Sequence, residues 1–289
     1  MRAGVADGSR LLERATTAAG AAVGAVRRAA AQGGRPVRDW HTHEFTAAAG
    51  TRVHAAVFGP AGAREVVCVH GLGCSYRYWL PFARALAPDT RTVAVDLPGF
   101  GRTPGPPAAL DVHQLSLALA DWLRATGRGP VPLVANSTGC QVVVDLAAHT
   151  PELIGPVVLN GPTFDPHARS TLRQVARLMR DARWERPSLG VALALSYADC
   201  GLPRAWRTFR HQLHDPVERK LRHLRTPAVV VRGTRDPIVP PQWAEEVVAL
   251  LPRGRLAEVS GGGHTLNYSA PELARITREL LGPAPEPVS

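Results

Sequence analysis

Three features common in other proteins are missing or scarce in this chain of 289 residues. It has no run of eighteen apolar residues, so we expect no membrane-spanning helix. Its four cysteines show no C-x-x-C spacing, which argues against a metal cluster and favours reduced thiols in a cytoplasmic protein. Lysine is nearly absent, since Lys220 is the only one, and arginine carries almost all of the positive charge.

The net charge of +10 is concentrated in two segments. Residues 1–36 hold six Arg and two acids, a net charge of +4, and residues 163–225 hold twelve Arg, one Lys and six acids, a net charge of +7. All other residues together carry a net charge of −1. No nucleic-acid recognition motif accompanies the basic segments, so we expect no nucleic-acid binding.

Short apolar segments alternate along most of the chain with segments whose apolar residues recur at helical spacing. The short segments predict buried strands at residues 38–46, 51–58, 65–69, 92–95, 131–135, 157–159, 228–231 and 256–260. This alternation predicts an α/β fold with a mostly parallel sheet and helices on both faces. In such sheets the chemistry lies at the carboxyl ends of the strands.

Two pairs of residues have the spacing of a capping box, in which a polar side chain and a residue three positions later satisfy each other's backbone N–H groups. One pair is Asp111 with Gln114, and the other is Ser269 with Glu272. Each pair predicts a helix that begins just after its first residue.

The segment Val131–Asp145 has the pattern of a nucleophile elbow, in which a serine lies on a sharp turn between a strand and a helix. Ser137 stands at the turn, with Gly139 two residues later and Ala135 in the place of the usual first glycine. Bulky residues at these flanking positions would collide across the turn, and alanine is small enough to fit. The pattern predicts an exposed serine Oγ beside the free N–H groups of a helix N-terminus.

Other polar or glycine-rich turns follow predicted strands, so one edge of the sheet would gather them. They are the turns that contain Leu72, Asp236 and His264. With these motifs the chain resembles the α/β-hydrolase superfamily, in its single-domain class with a helical lid. The resemblance covers residues 40 to 282 and rests on His70-Gly71-Leu72-Gly73, the turn from Asp96 to Arg102, Ala135-Asn136-Ser137-Thr138-Gly139, the turn from Gly233 to Pro240, and Gly263-His264.

The resemblance implies a Ser-His-Asp triad, which that fold uses in this chain order. Ser137 would be the nucleophile and His264 the base that takes its proton, because a serine hydroxyl is a poor nucleophile without a base. Asp236 would fix the histidine tautomer and stabilise the imidazolium. The N–H groups of Leu72 and Thr138 would form the oxyanion hole. No metal or organic cofactor is implied.

Two residues near these motifs have competing interpretations. Asp165 also follows a predicted strand and lies between the serine and the histidine in chain order, as the acid of some relatives of this fold does. The turn around Asp236 matches the acid turn of the family more closely, so we predict that Asp165 is a helix cap instead. His70 is predicted to pack under the oxyanion loop.

The domain boundaries follow from these patterns. Residues 37–162 and 226–282 are predicted to form the hydrolase core, and residues 163–225, hereafter the cap, an inserted helical and mobile lid. Residues 1–36 are predicted to be a mobile Ala/Arg-rich extension, with membrane-surface contact as the less favoured alternative, and residues 283–289 a disordered tail. Four aromatic residues of the cap are candidates for substrate contact: Trp184, Tyr197, Trp206 and Phe209.

The function predicted from the sequence is a serine hydrolase that cleaves an ester, thioester or lactone of a small molecule. Arginines at helical spacing in the cap, such as Arg173 and Arg180, fit a solvated face. They also leave open an anionic substrate, an acidic partner or a membrane surface. Two further functions stay open. The same triad could hydrolyse a carbon–carbon bond or act as a cofactor-free perhydrolase or haloperoxidase, and the fold could serve as a small-molecule receptor with slow turnover.

Overall fold

The structure is a computed structural model that describes residues 40–87, 89–269 and 271–283. The predicted extension of residues 1–36 lies outside these ranges, and so does the predicted tail beyond Pro283. Of the predicted strands, the one at residues 38–46 begins at Thr42 in the structure and runs to Ala48.

Eight strands form one sheet. They are β1 Thr42–Ala48, β2 Thr51–Phe58, β3 Arg64–Val69, β4 Thr90–Val95, β5 Val131–Asn136, β6 Ile154–Asn160, β7 Ala228–Gly233 and β8 Gly254–Val259. The strand order is β1-β2-β4-β3-β5-β6-β7-β8. Strand β2 is antiparallel to both of its neighbours, whereas all pairs from β4 to β8 are parallel. The predicted α/β architecture with a mostly parallel sheet is therefore confirmed.

Ten α-helices connect the strands or follow them among the described residues. They are α1 Leu80–Leu86, α2 Val112–Ala125, α3 Thr138–His149, α4 Thr171–Asp181, α5 Pro187–Cys200, α6 Leu202–His214, α7 Val217–Lys220, α8 Pro241–Leu250, α9 Leu266–Ser269 and α10 Glu272–Leu281. Helices α4 to α7 all fall between β6 and β7, within the cap.

Alternate residues of the central strands face two separate hydrophobic clusters, because side chains of a strand point to opposite faces with a period of two. In β3, Val67 and Val69 belong to the cluster that contains side chains of α2, α3 and α8. Val66 and Cys68 belong to the cluster with α1 and α10. Helices therefore cover both faces of the sheet, and the carboxyl ends of the parallel strands open at one edge, beneath the cap.

The two predicted capping boxes have different outcomes. Asp111 accepts a hydrogen bond from the backbone N–H of Gln114, whose side chain in turn accepts one from the N–H of Asp111, as predicted. The capping box predicted at Ser269 is wrong. Ser269 ends the short helix α9, and its hydroxyl donates to the carbonyl of Thr265 four residues earlier. Helix α10 begins at Glu272 with Pro271 at its N-cap position, so Ser269 belongs to the preceding helix and is not the residue that caps α10.

Among the described residues, no helix is long and apolar enough to cross a membrane. All four cysteines are buried and free.

Candidate active site

Ser137 lies in the sharp turn between β5 and α3 with a positive φ of 56° and ψ of −124°. Such backbone angles cost a non-glycine residue about 1–3 kcal/mol and persist only where the surroundings hold them. Here the N–H of Ser137 donates to the carbonyl oxygen of Asn160 at the end of β6, at 2.9 Å. The serine is thereby held at the edge of the sheet, with its side chain in the cavity described below.

Close packing across this turn explains the small residues around the serine. A Cβ atom on Gly139 would lie 2.5 Å from the carbonyl oxygen of Val69, so helix α3 can approach β3 only with glycine there. The methyl group of Ala135, in contrast, is accommodated in the hydrophobic core with no exposure. Alanine in place of the first glycine therefore does not disturb the turn.

His264 and Asp236 meet beside the serine. Nδ1 of His264 lies 2.7 Å from Oδ2 of Asp236, and both side chains are almost fully buried. The other carboxylate oxygen of Asp236 accepts the N–H groups of Ile238 and Val239 at 2.7 and 3.1 Å. Because a carboxylate oxygen accepts hydrogen bonds, the single ring proton of the neutral imidazole lies on Nδ1. Nε2 is buried without a hydrogen bond to any described residue, in the cavity that Ser137 also lines.

The competing acid, Asp165, makes other bonds. Its side chain accepts the N–H of His167 at 2.9 Å, which caps a short 3-10 turn, and it pairs with Arg177 of α4 at 3.0 Å. The predicted capping role of Asp165 is confirmed, and the carboxylate that contacts the imidazole ring of His264 is Asp236.

Two carboxylates of the cap, which sequence reasoning missed, hold the loop that carries His264. Asp181 is buried, and its Oδ1 accepts the backbone N–H of His264 at 3.1 Å. Glu185 accepts the N–H of Thr265 at 2.8 Å and also its hydroxyl. A Cβ on Gly263 would lie 2.9 Å from the Glu185 carboxylate, so glycine there admits the contact. Only their spacing of four residues could have marked this pair in the sequence.

These carboxylates change the acidity of the histidine. Burial by itself lowers the pKa of His264, but the charge and hydrogen bond of Asp236, together with the charges of Asp181 and Glu185, outweigh it and raise that pKa to about 9. The pKa of Asp181 is raised to about 7, mainly by burial, although the nearby His264 lowers it.

The raised pKa predicts an alkaline pH profile. With His264 as the proposed base, which must be neutral to accept a proton, kcat/KM for a neutral soluble ester should rise with pH and reach half of its maximum near pH 9. Asp181→Asn removes a charge that favours the imidazolium and should move the midpoint of this rise down by about one pH unit.

The control for this prediction is Asp199→Asn, also in the cap. Asp199 pairs with Arg77 near the surface at 2.6 Å and does not line the cavity. The midpoint of the pH profile of this variant should therefore equal that of the unaltered protein. An unmoved midpoint in a folded Asp181→Asn variant would contradict the assignment of Asp181 to His264.

A second group that sequence reasoning missed connects the three loops of the site. The hydroxyl of Tyr78 accepts the N–H of Gly71 at 2.8 Å and donates to Oδ1 of Asn136 at 3.1 Å. The side-chain nitrogen of Asn136 donates to the carbonyl of Asn160, and more weakly, at 3.3 Å, to that of His264. The loop after β3, the turn with Ser137 and the loop with His264 thus share one buried network.

His70 is structural, as predicted. It is buried, and its Nε2 accepts the N–H of Leu97 at 3.1 Å while Nδ1 contacts the carbonyl of Gly71 at 2.8 Å. Burial lowers its pKa, so the ring is neutral. The ring therefore supports the loop that carries Leu72.

A cavity of about 670 Å³ lies between the core and the cap, a size within the usual range for small-molecule sites. Its lining is mostly apolar, and its charged residues are Asp181, Glu185, Arg186 and His264. The lining also includes these residues singled out from the sequence: Leu72, Ser137, Thr138, Tyr197, Trp206, Phe209 and His264.

Two of the aromatic candidates illustrate how the cap meets the core. Tyr197 packs on the loop after β3, where a Cβ on Gly73 would collide with its ring, and its hydroxyl approaches the carbonyl of Leu72 at 3.4 Å. Trp184 does not line the cavity. Its ring is partly exposed and stacks against the guanidinium of Arg235 in the core, 4.6 Å from the ring centroid, so Trp184 contacts the core outside the cavity.

One group of metal-ligand side chains lies outside this cavity. His113, Asp145 and His149 hold their ligand atoms within 4.8 Å of one another on α2 and α3. Asp145 is also paired with the ammonium of Lys220 at 2.6 Å and accepts the hydroxyl of Ser116. A cation there would meet the positive charge of Lys220, so the group fits an internal ion-pair network better than a metal site.

Comparisons with known proteins agree with this architecture. RutD of Klebsiella pneumoniae (strain 342), a carbamate hydrolase by name, is 27% identical over 232 residues, which are 72% of this chain and 87% of RutD. The enol-lactonase from Burkholderia xenovorans LB400 has a TM-score of 0.68 at 19% identity, over 82% of this chain and 99% of that one. A membrane phospholipase A, described as a bacterial virulence factor, has a TM-score of 0.73 at 22% identity, over 97% of this chain and 98% of that one.

The two structural likenesses concern the fold alone, whereas a family model covers most of the sequence. The model described as the alpha/beta hydrolase family matches residues 66–276, well over half of the 289. The relatives are named as hydrolases. The chain therefore belongs to the alpha/beta hydrolase family, and it is a hydrolase.

Proposed function

We propose that this protein is a serine hydrolase that cleaves a small-molecule ester with an apolar acyl group through an acyl-enzyme on Ser137. The observation that carries this proposal is the position of Ser137 in a strained turn, at the wall of an apolar cavity that also contains the free Nε2 of His264. Ester hydrolysis needs a nucleophile, a base and an acyl pocket, and these three features coincide here.

In the proposed reaction, Oγ of Ser137 attacks the carbonyl carbon while Nε2 of His264 takes its proton. The negative charge on the carbonyl oxygen is stabilised by the N–H groups of Leu72 and Thr138, and one such donor is worth roughly 3 kcal/mol. The ester C–O bond then breaks, and His264 returns the proton to the leaving alcohol. A water molecule, deprotonated by His264, then attacks the carbonyl carbon of the acyl-enzyme. The bond to Oγ breaks, Ser137 regains its proton from His264, and the acid is released. Asp236 holds the imidazole in the required tautomer throughout.

The lining of the cavity supports a neutral, apolar acyl group. Two of its charged residues, Asp181 and Glu185, are acids, and Arg186 is the only arginine among them. An anionic acyl chain would be repelled by the acids, while a carbamate, the substrate class in the name of RutD, is small and polar and would leave the apolar walls unfilled. The cap, proposed to move as a lid, would open to admit the ester and then exclude water.

A pair of matched esters tests this proposal. The p-nitrophenyl ester of octanoate should be turned over many times, and kcat/KM should rise about fourfold per methylene from acetate to octanoate, since each buried CH₂ is worth about 0.8 kcal/mol. The mono-p-nitrophenyl ester of suberate has the same chain length but ends in a carboxylate, and we expect a much lower kcat/KM for it.

Three outcomes would contradict the proposal. A preference for the suberate ester would make the substrate anionic and Arg186 the group that selects it. Release of a single equivalent of p-nitrophenol without further turnover would favour a small-molecule receptor over an enzyme. No release at all, by folded protein, would exclude this ester class.

A further inference from the structure

Exposed apolar side chains surround the mouth of the cavity. Nine large apolar residues of the described chain are exposed, and seven of them lie between residues 172 and 206, in the cap. We define the apolar rim as five of these: Leu172, Val175, Leu178, Met179 and Trp206. Four of the five, all except Leu172, also line the cavity. The apolar interior of the cavity therefore continues onto the outer surface of the cap, and exposed apolar patches of this kind often mark interaction sites.

Arginines flank this rim. In α4, Arg173 and Arg180 lie two turns apart, next to Leu172 and Met179, which are also two turns apart and are 78% and 70% exposed. Arg169 and Arg177 form ion pairs with Glu218 and Asp165. Six exposed arginines between residues 173 and 210 have no ion-pair partner within the described residues: Arg173, Arg180, Arg183, Arg186, Arg207 and Arg210. Helix α4 thus presents an apolar stripe beside an uncompensated basic one.

We propose that the apolar rim docks on an anionic lipid surface, so that the ester substrate passes from the lipid directly into the cavity. This rests on the proposed function and names its substrate class, an ester with an acyl chain drawn from a lipid layer. A helix with apolar residues on one face and arginines on the adjacent one lies in the plane of such an interface. Anionic headgroups would supply the negatively charged partners that these six arginines do not have within the described residues.

Two other occupants fit the rim less well. A second copy of this chain would bring two sets of unpaired arginines together, and like charges across an interface oppose association. A protein partner seated on the rim would close the mouth of the cavity. A lipid layer satisfies the apolar side chains and the arginines and also provides the substrate.

The test separates docking from catalysis by using the full chain with Ser137→Ala. Co-sedimentation is measured with vesicles of pure phosphatidylcholine and with vesicles of equal parts phosphatidylcholine and phosphatidylglycerol. We expect binding to the anionic vesicles, much weaker binding to the neutral ones, and a loss of affinity with added salt. If the protein with Ser137 intact hydrolyses no ester but this binding is found, the proposed function fails and the docking surface stands.

Variants in the same background locate the surface. Arg173→Glu with Arg180→Glu should lower the partition coefficient at least about 25-fold, since each arginine near an anionic surface contributes about fivefold. Leu172→Ser should lower it about tenfold. The matched controls are Arg253→Glu, exposed just before β8 at the opposite edge of the sheet, and Leu117→Ser, exposed on α2. We expect each control to change binding by less than about twofold.

The same substitutions are also made in the protein that retains Ser137, so that its hydrolytic activity shows whether each variant is folded. None of these residues lines the cavity, so hydrolysis of p-nitrophenyl butyrate in solution should be unchanged while hydrolysis of an ester embedded in anionic vesicles falls. The proposal is overturned if the protein does not bind anionic vesicles, or if the rim variants bind as well as the controls. It is also overturned if sedimentation velocity shows self-association that Leu172→Ser abolishes, because the rim would then hold a second copy.

Discussion

Replacement of Ser137 by alanine should lower kcat for p-nitrophenyl octanoate at least about 10⁴-fold, because the members of a nucleophile–base–acid unit fail together. The backbone at Ser137 has a positive φ, which alanine adopts at a cost similar to that of serine, so the fold should be retained. Steady-state kinetics at a pH near 9, where His264 is half neutral, measure the loss.

A fluorophosphonate probe identifies the nucleophile independently of the substrate. Mass spectrometry of the labelled protein should find the adduct on Ser137. The matched control is Ser116→Ala, at a buried serine whose hydroxyl binds Asp145 and does not line the cavity, and this variant should label normally. Labelling of a different serine, or none in an active preparation, would remove Ser137 from its proposed role.

The second large effect concerns the carboxylate. Asp236→Asn should keep the fold but lower kcat about 10⁴-fold, because an amide nitrogen facing Nδ1 would hold the imidazole in the wrong tautomer. In the present structure that carboxylate is 2.7 Å from Nδ1 and accepts two backbone N–H groups through its other oxygen. The side-chain oxygen of asparagine can still accept these two hydrogen bonds. The fold should therefore be kept, and a loss of activity would report the loss of tautomer control.

Asp165→Asn is the matched comparison, because both aspartates follow a strand and both are buried. Asp165 bonds to His167 and Arg177 and does not contact His264, so kcat should change less than about tenfold. A large loss for Asp165→Asn with a small one for Asp236→Asn would assign the acid to the earlier strand.

The sequence alone was sufficient to predict a structural feature where the interactions that determine it are local. The capping box at Asp111 uses residues three positions apart, and the turn at Ser137 depends on small neighbours within two positions. The alternation of strands and helices likewise predicted a mostly parallel sheet with its polar turns at one edge. Ser269 shows the limit of such reasoning, because its spacing to Glu272 fits a capping box, yet Ser269 ends the preceding helix and Pro271 occupies the N-cap position of the next.

The tertiary structure decided whatever depends on how the cap sits on the core. Chain order left Asp165 and Asp236 both possible and the pattern of the acid turn favoured Asp236, but only the structure gives the distance of 2.7 Å between its carboxylate and His264. The contacts of Asp181 and Glu185 with the His264 loop span about eighty residues of sequence, so no local pattern encodes them.

The exposure of apolar side chains on the outer surface of the cap likewise depends on tertiary packing and not on a local pattern. The apolar residues of α4 recur at helical spacing, but helical periodicity records only that residues share a face and not what that face meets. In the folded chain Leu172 and Met179 stay exposed, since the cap lies over the edge of the sheet and α4 has no further layer above it. The sequence by itself determined the fold and the candidate residues of its site, and the packing of the cap determined the acidity of His264 and the apolar border of the cavity.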